Sequence, residues 1–325
     1  MDYINYVKQS PMSMSGMGGP VGALNFHSGS SNVWYGVRGV NYAGITDSAP
    51  YWSSRLDYFT IQTLGNATNL ASSSGYTRVE ASGCSGNGRG LYGSGRYGPD
   101  ASNVHTTEIR YMTLISGSST STFGQLTQAG RHAGGCSDGL RGVFMGGHSR
   151  SGVIDYVTIA TTGNAQNFGD LDGGGAGGAA GNNAVRGVYQ SHYDDLQYVT
   201  IQTTGNASDF GDYTGPGRDD NNAATGDEAH DRIVYGPGEG PSVAQKRMDY
   251  ITVSTTGNAT EFGNLANGRI KRGGLSDGSR GMWVGSSNPS NYTQVDYITI
   301  ANTGNGSDFG DLSQGRYNTA CASGS

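Results

Sequence analysis

The chain has 325 residues, 57 of them glycine and 20 tyrosine, with 34% hydrophobic and 14% charged residues and a net charge of −6. So much glycine, against a usual share of about 7%, argues against a helical protein, and the mild acidity without a Lys/Arg cluster argues against a nucleic-acid binder. No run of about 18 apolar residues predicts a membrane span, the start Met1-Asp2-Tyr3-Ile4 is unlike a signal peptide, glycine lacks the collagen period, and three cysteines make no disulfide framework.

Taken along the chain, three short elements recur. A Tyr-Ile-Thr-Ile-like string starts at Tyr58, Tyr111, Tyr156, Tyr198, Tyr250 and Tyr297, with a stub at Asp2-Tyr3-Ile4, so its tyrosine returns every 42 to 55 residues. Its alternation of apolar residues and threonine predicts a strand, here called c. A Thr-Gly-Asn turn then leads to strand d, which carries Phe-Gly-Asp-Leu around Phe168, Phe210, Phe262 and Phe309. Between these lies an Arg-Gly-apolar-aromatic element, strand b, opening at Arg89, Arg141, Arg186, Arg232 and Arg280, with Asn32-Val33-Trp34-Tyr35 taken as its degenerate sixth copy. Just before it stands a small-residue strand a, as in Gly83-Cys84 and Gly135-Cys136. Turns such as Ser137-Asp138-Gly139 join a to b, since Asp-Gly suits the positive φ of tight hairpins.

Four antiparallel strands per repeat predict an all-β chain, a β-propeller of four-stranded blades that bury their faces against one another. Strand a is expected innermost, where only small side chains fit. Six full blades would run from about Val21 to Leu312. The stub at Asp2–Val7 and the a-like Tyr317–Ala322 suggest a seventh, so seven blades are favoured over six. Residues 1–325 then form one propeller domain, with segments 1–20 and 313–325 completing the closing blade.

The strand order, with Phe144-Met145-Gly146-Gly147 as its clearest signature, resembles Kelch propellers. The string Asp296-Tyr297-Ile298-Thr299-Ile300, Thr303-Gly304-Asn305 and Asp308-Phe309-Gly310-Asp311-Leu312, with its Arg-Gly-Val-Phe companion, resembles virion structural proteins of tailed phages, marine and cyanobacterial ones especially. That resemblance covers nearly the whole chain. It implies a non-enzymatic structural protein of the virion, assembled in the host cytoplasm. Its partners would be other virion proteins in tail, neck or capsid surface, and also copies of itself.

The repeat also assigns places to single residues. Cys84, Cys136 and Cys321 are read as small buried residues at one strand-a position, with Gly181 and Leu275 equivalent to them, so no metal site is implied. His132 precedes Cys136 by four residues on the same expected face, which alone makes no site. The repeated arginines and the aspartates Asp57, Asp155, Asp249 and Asp296 are expected to pair within blades. The sequons at Asn66, Asn206, Asn258 and Asn305 read as turns. The acidic stretch with Asp219, Asp220, Asp227, Glu228 and Asp231 lacks regular calcium-ligand spacing and reads as a solvated loop. No cofactor is implied, and no nucleophile elbow or carboxylate pair is marked. Loops that break the repeat are the binding candidates: Trp52, Tyr97, His192, Tyr193 and Tyr292 would suit stacking on host-surface glycans or anchoring a protein partner.

Overall fold

The computed structural model describes residues 35–46, 51–72, 77–97, 104–175, 177–191, 194–214, 223–238, 245–268, 270, 273–287 and 293–324. They fall in the compact unit Ser31–Ser325; the unit Met1–Ser30 lies outside them. All regular structure among the described residues is β. The first blade uses β1 (Arg38–Ile45), β2 (Trp52–Thr60) and β3 (Thr68–Ser72). After β4 (Arg78–Val79), the second blade has β5 (Ser82–Gly86), β6 (Arg89–Gly93), β8 (Thr106–Thr113) and β9 (Ser121–Gly130), with β7 (Arg96–Tyr97) paired to β4. The third runs β10 (Gly134–Ser137), β11 (Arg141–Met145), β12 (Val153–Thr158) and β13 (Gln166–Asp170); the fourth β14 (Ala179–Asn182), β15 (Arg186–Gln190), β16 (Asp195–Thr200) and β17 (Ser208–Asp212). The fifth runs β18 (Ala224–Asp227), β19 (Arg232–Tyr235), β20 (Arg247–Thr252) and β21 (Thr260–Asn264); the sixth β22 (Gly273–Ser276), β23 (Arg280–Val284), β24 (Gln294–Thr299) and β25 (Ser307–Asp311).

The final strand, β26 (Ala320–Gly324), pairs antiparallel with β1 and supplies the inner strand of the first blade, in the order β26-β1-β2-β3. The innermost strands β26, β5, β10, β14, β18 and β22 adjoin one another in cyclic order, so the ring closes on six blades. This corrects the expectation of seven. The C-terminal strand does not seed an extra blade; it fills the place that the count from Val21 assigned to an N-terminal strand. The Asp2–Val7 stub and the segment 1–20 lie outside the described residues. The sixth strand b is also displaced. Arg38↔Thr60 repeats the register of Arg141↔Thr158, so the element is Arg38-Gly39-Val40-Asn41 rather than Asn32–Tyr35. Asn41 stands where the other blades carry an aromatic residue, and this masked the match.

Six apolar clusters correspond to the six seams between blades. One holds Cys136, Val143, Met145, Ile154 and Phe168 of the third blade against Tyr189, Val199 and Ile201 of the fourth, all buried. Burying each large side chain contributes about 1.5–3 kcal/mol. The seam between sixth and first blades is different. Buried Asn41 donates to Thr319 Oγ1 (2.7 Å) and Cys321 Sγ (3.2 Å), and it accepts from Arg316 Nε (3.0 Å) and Nη2 (2.8 Å). Arg316 Nη1 also meets Asp57 at 3.0 Å, and Asp57 accepts the Ser313 hydroxyl at 2.5 Å. A directional network thus ties the segment leading into β26 to the first blade.

The repeated polar residues pair within blades, as expected, and also lock one blade to the next. Arg141 lies over the Tyr156 ring (4.3 Å) and donates to the Ile201 carbonyl of the following blade (3.0 Å). Arg89, Arg186, Arg232 and Arg280 repeat this with Ile159, Val253, Ile300 and Ile61. The strand-c tyrosines meet the strand-d phenylalanines edge-on, as in Tyr156–Phe168 at 6.0 Å and 82°. Asp155 takes the backbone N–H (3.1 Å) and hydroxyl (2.6 Å) of Thr127 from the preceding blade, and the buried Arg150 at 2.8 Å.

The Thr-Gly-Asn turns are locks as well. Asn206 Oδ1 accepts the Asp170 N–H of the preceding blade (3.1 Å), while Gly205 and Ala207 donate to Phe168 and Asp170 carbonyls. Asn66, Asn164, Asn258 and Asn305 act alike, so five outer strands have their open edges covered. The Phe-Gly-Asp glycine is required by this crossing: a Cβ at Gly169 or Gly263 would run into the Gly205 or Gly304 carbonyl. Blade one has Ala71 at that place, and blade two has no Asn in its turn; among the described residues this seam alone lacks the outer lock.

Candidate functional site

The b–c and d–a connections lie at one end of the ring, and there the symmetry breaks. Among the described residues, the residue two places before an inner strand turns the chain into the axial channel mouth with left-handed geometry, as Gly177 does before β14. It is Glu80 (φ 61°) in the second blade, His132 (φ 54°) in the third and Asn318 (φ 54°) in the first. This conformation costs a residue with a Cβ about 1–2 kcal/mol. Backbone bonds string the rim together: Glu80 N–H to Asn318 O (3.0 Å), His132 N–H to Glu80 O (2.8 Å) and Gly178 N–H to His132 O (3.4 Å).

Glu80 is only 4% exposed and is caged by donors from three blades. Arg96 grips both carboxylate oxygens at 2.5 Å, Arg131 Nη1 lies at 3.1 Å, Asn318 Nδ2 at 3.3 Å and His132 Nε2 at 3.4 Å. Burial opposes ionisation, yet His132, Arg96 and Arg131 outweigh it and hold this carboxyl well below the usual carboxylate range. Both arginines are fixed by bridges to histidine backbones, Arg96 to His105 and Arg131 to His148, and the rings of His132 and His148 meet edge-on at 5.7 Å. A second cage stands beside it. Glu108 accepts from buried Arg78 (2.7 Å), from Arg110 (2.9 Å) and from the Thr122 hydroxyl (3.0 Å). Burial would raise its pKa, but Tyr97, Arg78 and Arg110 lower it on balance.

Two of the sequence candidates meet here. Trp52 is half-buried with Arg96 over its ring at 5.6 Å. Tyr97 is also half-buried: Arg78 covers its ring at 5.1 Å and its hydroxyl donates to Glu108. Neither is the freely exposed platform expected from sequence, although Tyr51 beside Trp52 is 60% exposed. His192, Tyr193 and Tyr292 lie outside the described residues. Sequence reasoning passed over Glu80 and Arg131, and it placed Arg96, His105 and His148 only within candidate loops that break the repeat. The available signal was that His132, Glu80 and Asn318 share one repeat position with three different chemistries.

The remaining candidates are structural. Cys84 and Cys136 share a position, facing Gly142 and Gly187 of the next blade, but Cys321 is one residue out of step and faces Gly273 of the preceding one. Burial pushes the Cys84 thiol up to about 12 and the Cys321 thiol up to about 11. His132 points back to Glu80 while Cys136 packs forward, so the two form no site. Asp227 accepts from His230 and from the Ala229 N–H (2.7 Å), and Asp231 from the Ser254 N–H (3.0 Å); Asp219 and Asp220 lie outside the described residues. No group of three metal-ligating side chains occurs among the described residues. No helix there is long and apolar enough to cross a membrane. No protein-family model matches the chain, and no curated protein matches it significantly.

Proposed function

We propose that this chain is a non-enzymatic interaction module of a phage virion, a rigid propeller docked on other virion proteins in the tail, neck or capsid surface. The observation that carries this reading is the fate of the repeated residues. The arginines, aspartates, tyrosines and turn asparagines are engaged in blade-to-blade locks, which stiffen the ring and leave its ends as presentation surfaces. The phage-like repeat string supplies the setting, and copies of the chain are further candidate partners. The two caged carboxylates support the non-enzymatic part. A glycosidase needs one carboxyl kept protonated beside one ionised, whereas Glu80 and Glu108 are both held ionised by arginine. Gradient-purified particles are expected to carry the chain at fixed stoichiometry. Recovery only as free protein from infected cells would overturn the assignment.

A second reading is recognition of host-surface glycans. It is favoured by one observation: the Trp52–Arg96 stack stands beside the polar channel mouth, with exposed Tyr51 next to it. Binding of the purified chain to whole host cells, weakened by Trp52→Ala, tests it; no binding at micromolar concentration would remove it.

A further inference from the structure

We propose that the Arg131 side of the channel mouth binds the acidic group of a charged saccharide, a carboxylate or a sulfate ester carried on a sugar. The proposal rests on the glycan reading above and names its ligand class.

The first ground is an excess of donors. Glu80 is one anion against Arg96, Arg131 and His132, with His105 and His148 bridged to the two arginines beside it. Arg96 grips both oxygens of Glu80 and also lies over the Trp52 ring. Arg131 gives Glu80 one Nη1 bond and its side chain is 29% exposed, so the rest of its guanidinium edge reaches solvent. A guanidinium placed this way presents donors to an oxyanion arriving from solvent, and charge-assisted bonds of this kind are the strong ones.

The second ground is the local field. The chain carries −6 overall, yet this corner is positive. Burial lowers the pKa of His105, and Arg131 and Arg96 lower it further against the opposing pull of Glu80. An anion is drawn here from a surface that otherwise repels it.

The third ground selects a sugar over an acidic peptide. The mouth is lined by Gly134, Gly135, Gly178 and Ala133 rather than by apolar pockets for side-chain anchors. The nearest aromatic partner is the half-buried Trp52, reached through Arg96, and an aromatic face suits the C–H face of a pyranose. The anchoring parts are rigid: Arg131 N–H and C=O both pair with His148, at 3.2 and 2.8 Å. Little ordering cost therefore accompanies binding.

The test titrates the full chain by calorimetry with four probes: a uronate oligosaccharide, a sulfated oligosaccharide, a neutral oligosaccharide of equal length, and an oligoglutamate peptide. The acidic sugars are expected to bind and the neutral sugar not. Arg131→Gln is expected to weaken binding at least tenfold while the circular-dichroism spectrum of the folded chain is retained, and Arg131→Lys to recover part of the loss. The His148 ring resonances should shift on addition of the acidic sugar and stay put with the neutral one. The ratio between uronate and sulfate arms identifies the acid. Oligoglutamate binding as tightly as the sugars would overturn the saccharide assignment. Failure of both acidic sugars, or binding indifferent to Arg131→Gln, would overturn the site. Particle association is read separately, so a chain that binds uronate but never joins particles removes the virion proposal and leaves this one standing.

Discussion

Arg150 and Asp155 form a fully buried ion pair at 2.8 Å, and the consequence of cutting it can be worked through. In Arg150→Met the Asp155 carboxylate keeps only the Thr127 N–H and hydroxyl, at 3.1 and 2.6 Å, in a site without solvent. Leaving a buried charge uncompensated in this way costs about 3–5 kcal/mol. The fourth blade shows how the same place works without charge. Gln197, equivalent to Asp155, accepts the Asp172 N–H at 2.8 Å and donates to the Asp172 carbonyl at 2.7 Å. The guanidinium is itself under-satisfied, since Arg150 Nε and Nη1 are buried without partners among the described residues. The double variant Arg150→Met/Asp155→Gln is therefore expected to lie within about 1 kcal/mol of the parent. Urea unfolding at pH 7, followed by circular dichroism, measures both variants and their coupling. A single variant that loses less than about 1 kcal/mol, or a double variant as weak as the single, would refute the reasoning.

Other outcomes follow from the same locks. Gly263→Ala forces a Cβ at φ 155° into the Gly304 carbonyl and should cost about 2 kcal/mol or more, read as a drop in melting temperature, whereas Ala71→Gly, at the seam without the turn lock, should change it by less than about 1 kcal/mol. Deleting residues 320–325 removes the inner strand of the first blade and should abolish the single cooperative unfolding transition. Because the folded pKa of Glu80 is depressed below its ordinary 4.5, its contribution is fully present above that pH and fades as pH falls further. Urea midpoints should therefore drop below about pH 4.5, and Glu80→Gln should flatten that acid limb. Native protein should leave Cys84, Cys136 and Cys321 unmodified by a thiol reagent at pH 8, since all three are buried and their thiols are pushed up.

Much of the ring was legible because identical demands recur in each blade. The Tyr-Ile-Thr-Ile string, the Arg-Gly step and the Phe-Gly-Asp bend each sit at one register, and repetition reveals them. The blade count failed where repetition is interrupted. Asn41 replaces the strand-b aromatic in the blade closed by β26, so the true sixth copy at Arg38 was hidden, and the stub at Asp2 invited a seventh blade. The roles of the locks were illegible for a different reason. Arg141 reaches Ile201 and Asn206 reaches Asp170 across seams, and spacing along one blade carries no information about its neighbour. The cage around Glu80 was the least visible, because its donors come from three blades and the residue type at the position that His132, Glu80 and Asn318 share changes from blade to blade.

The six blades are closed by the C-terminal strand, and the proposal to be tested is that this ring is a rigid module docked on other virion proteins. A cryo-electron-microscopy map of particles carrying this chain tests it most directly. The account predicts a six-bladed ring in contact with neighbouring virion proteins, with residues 320–324 innermost in the blade that begins at Arg38. Seven blades, a C-terminal strand outside that blade, or particles complete without the chain would contradict it.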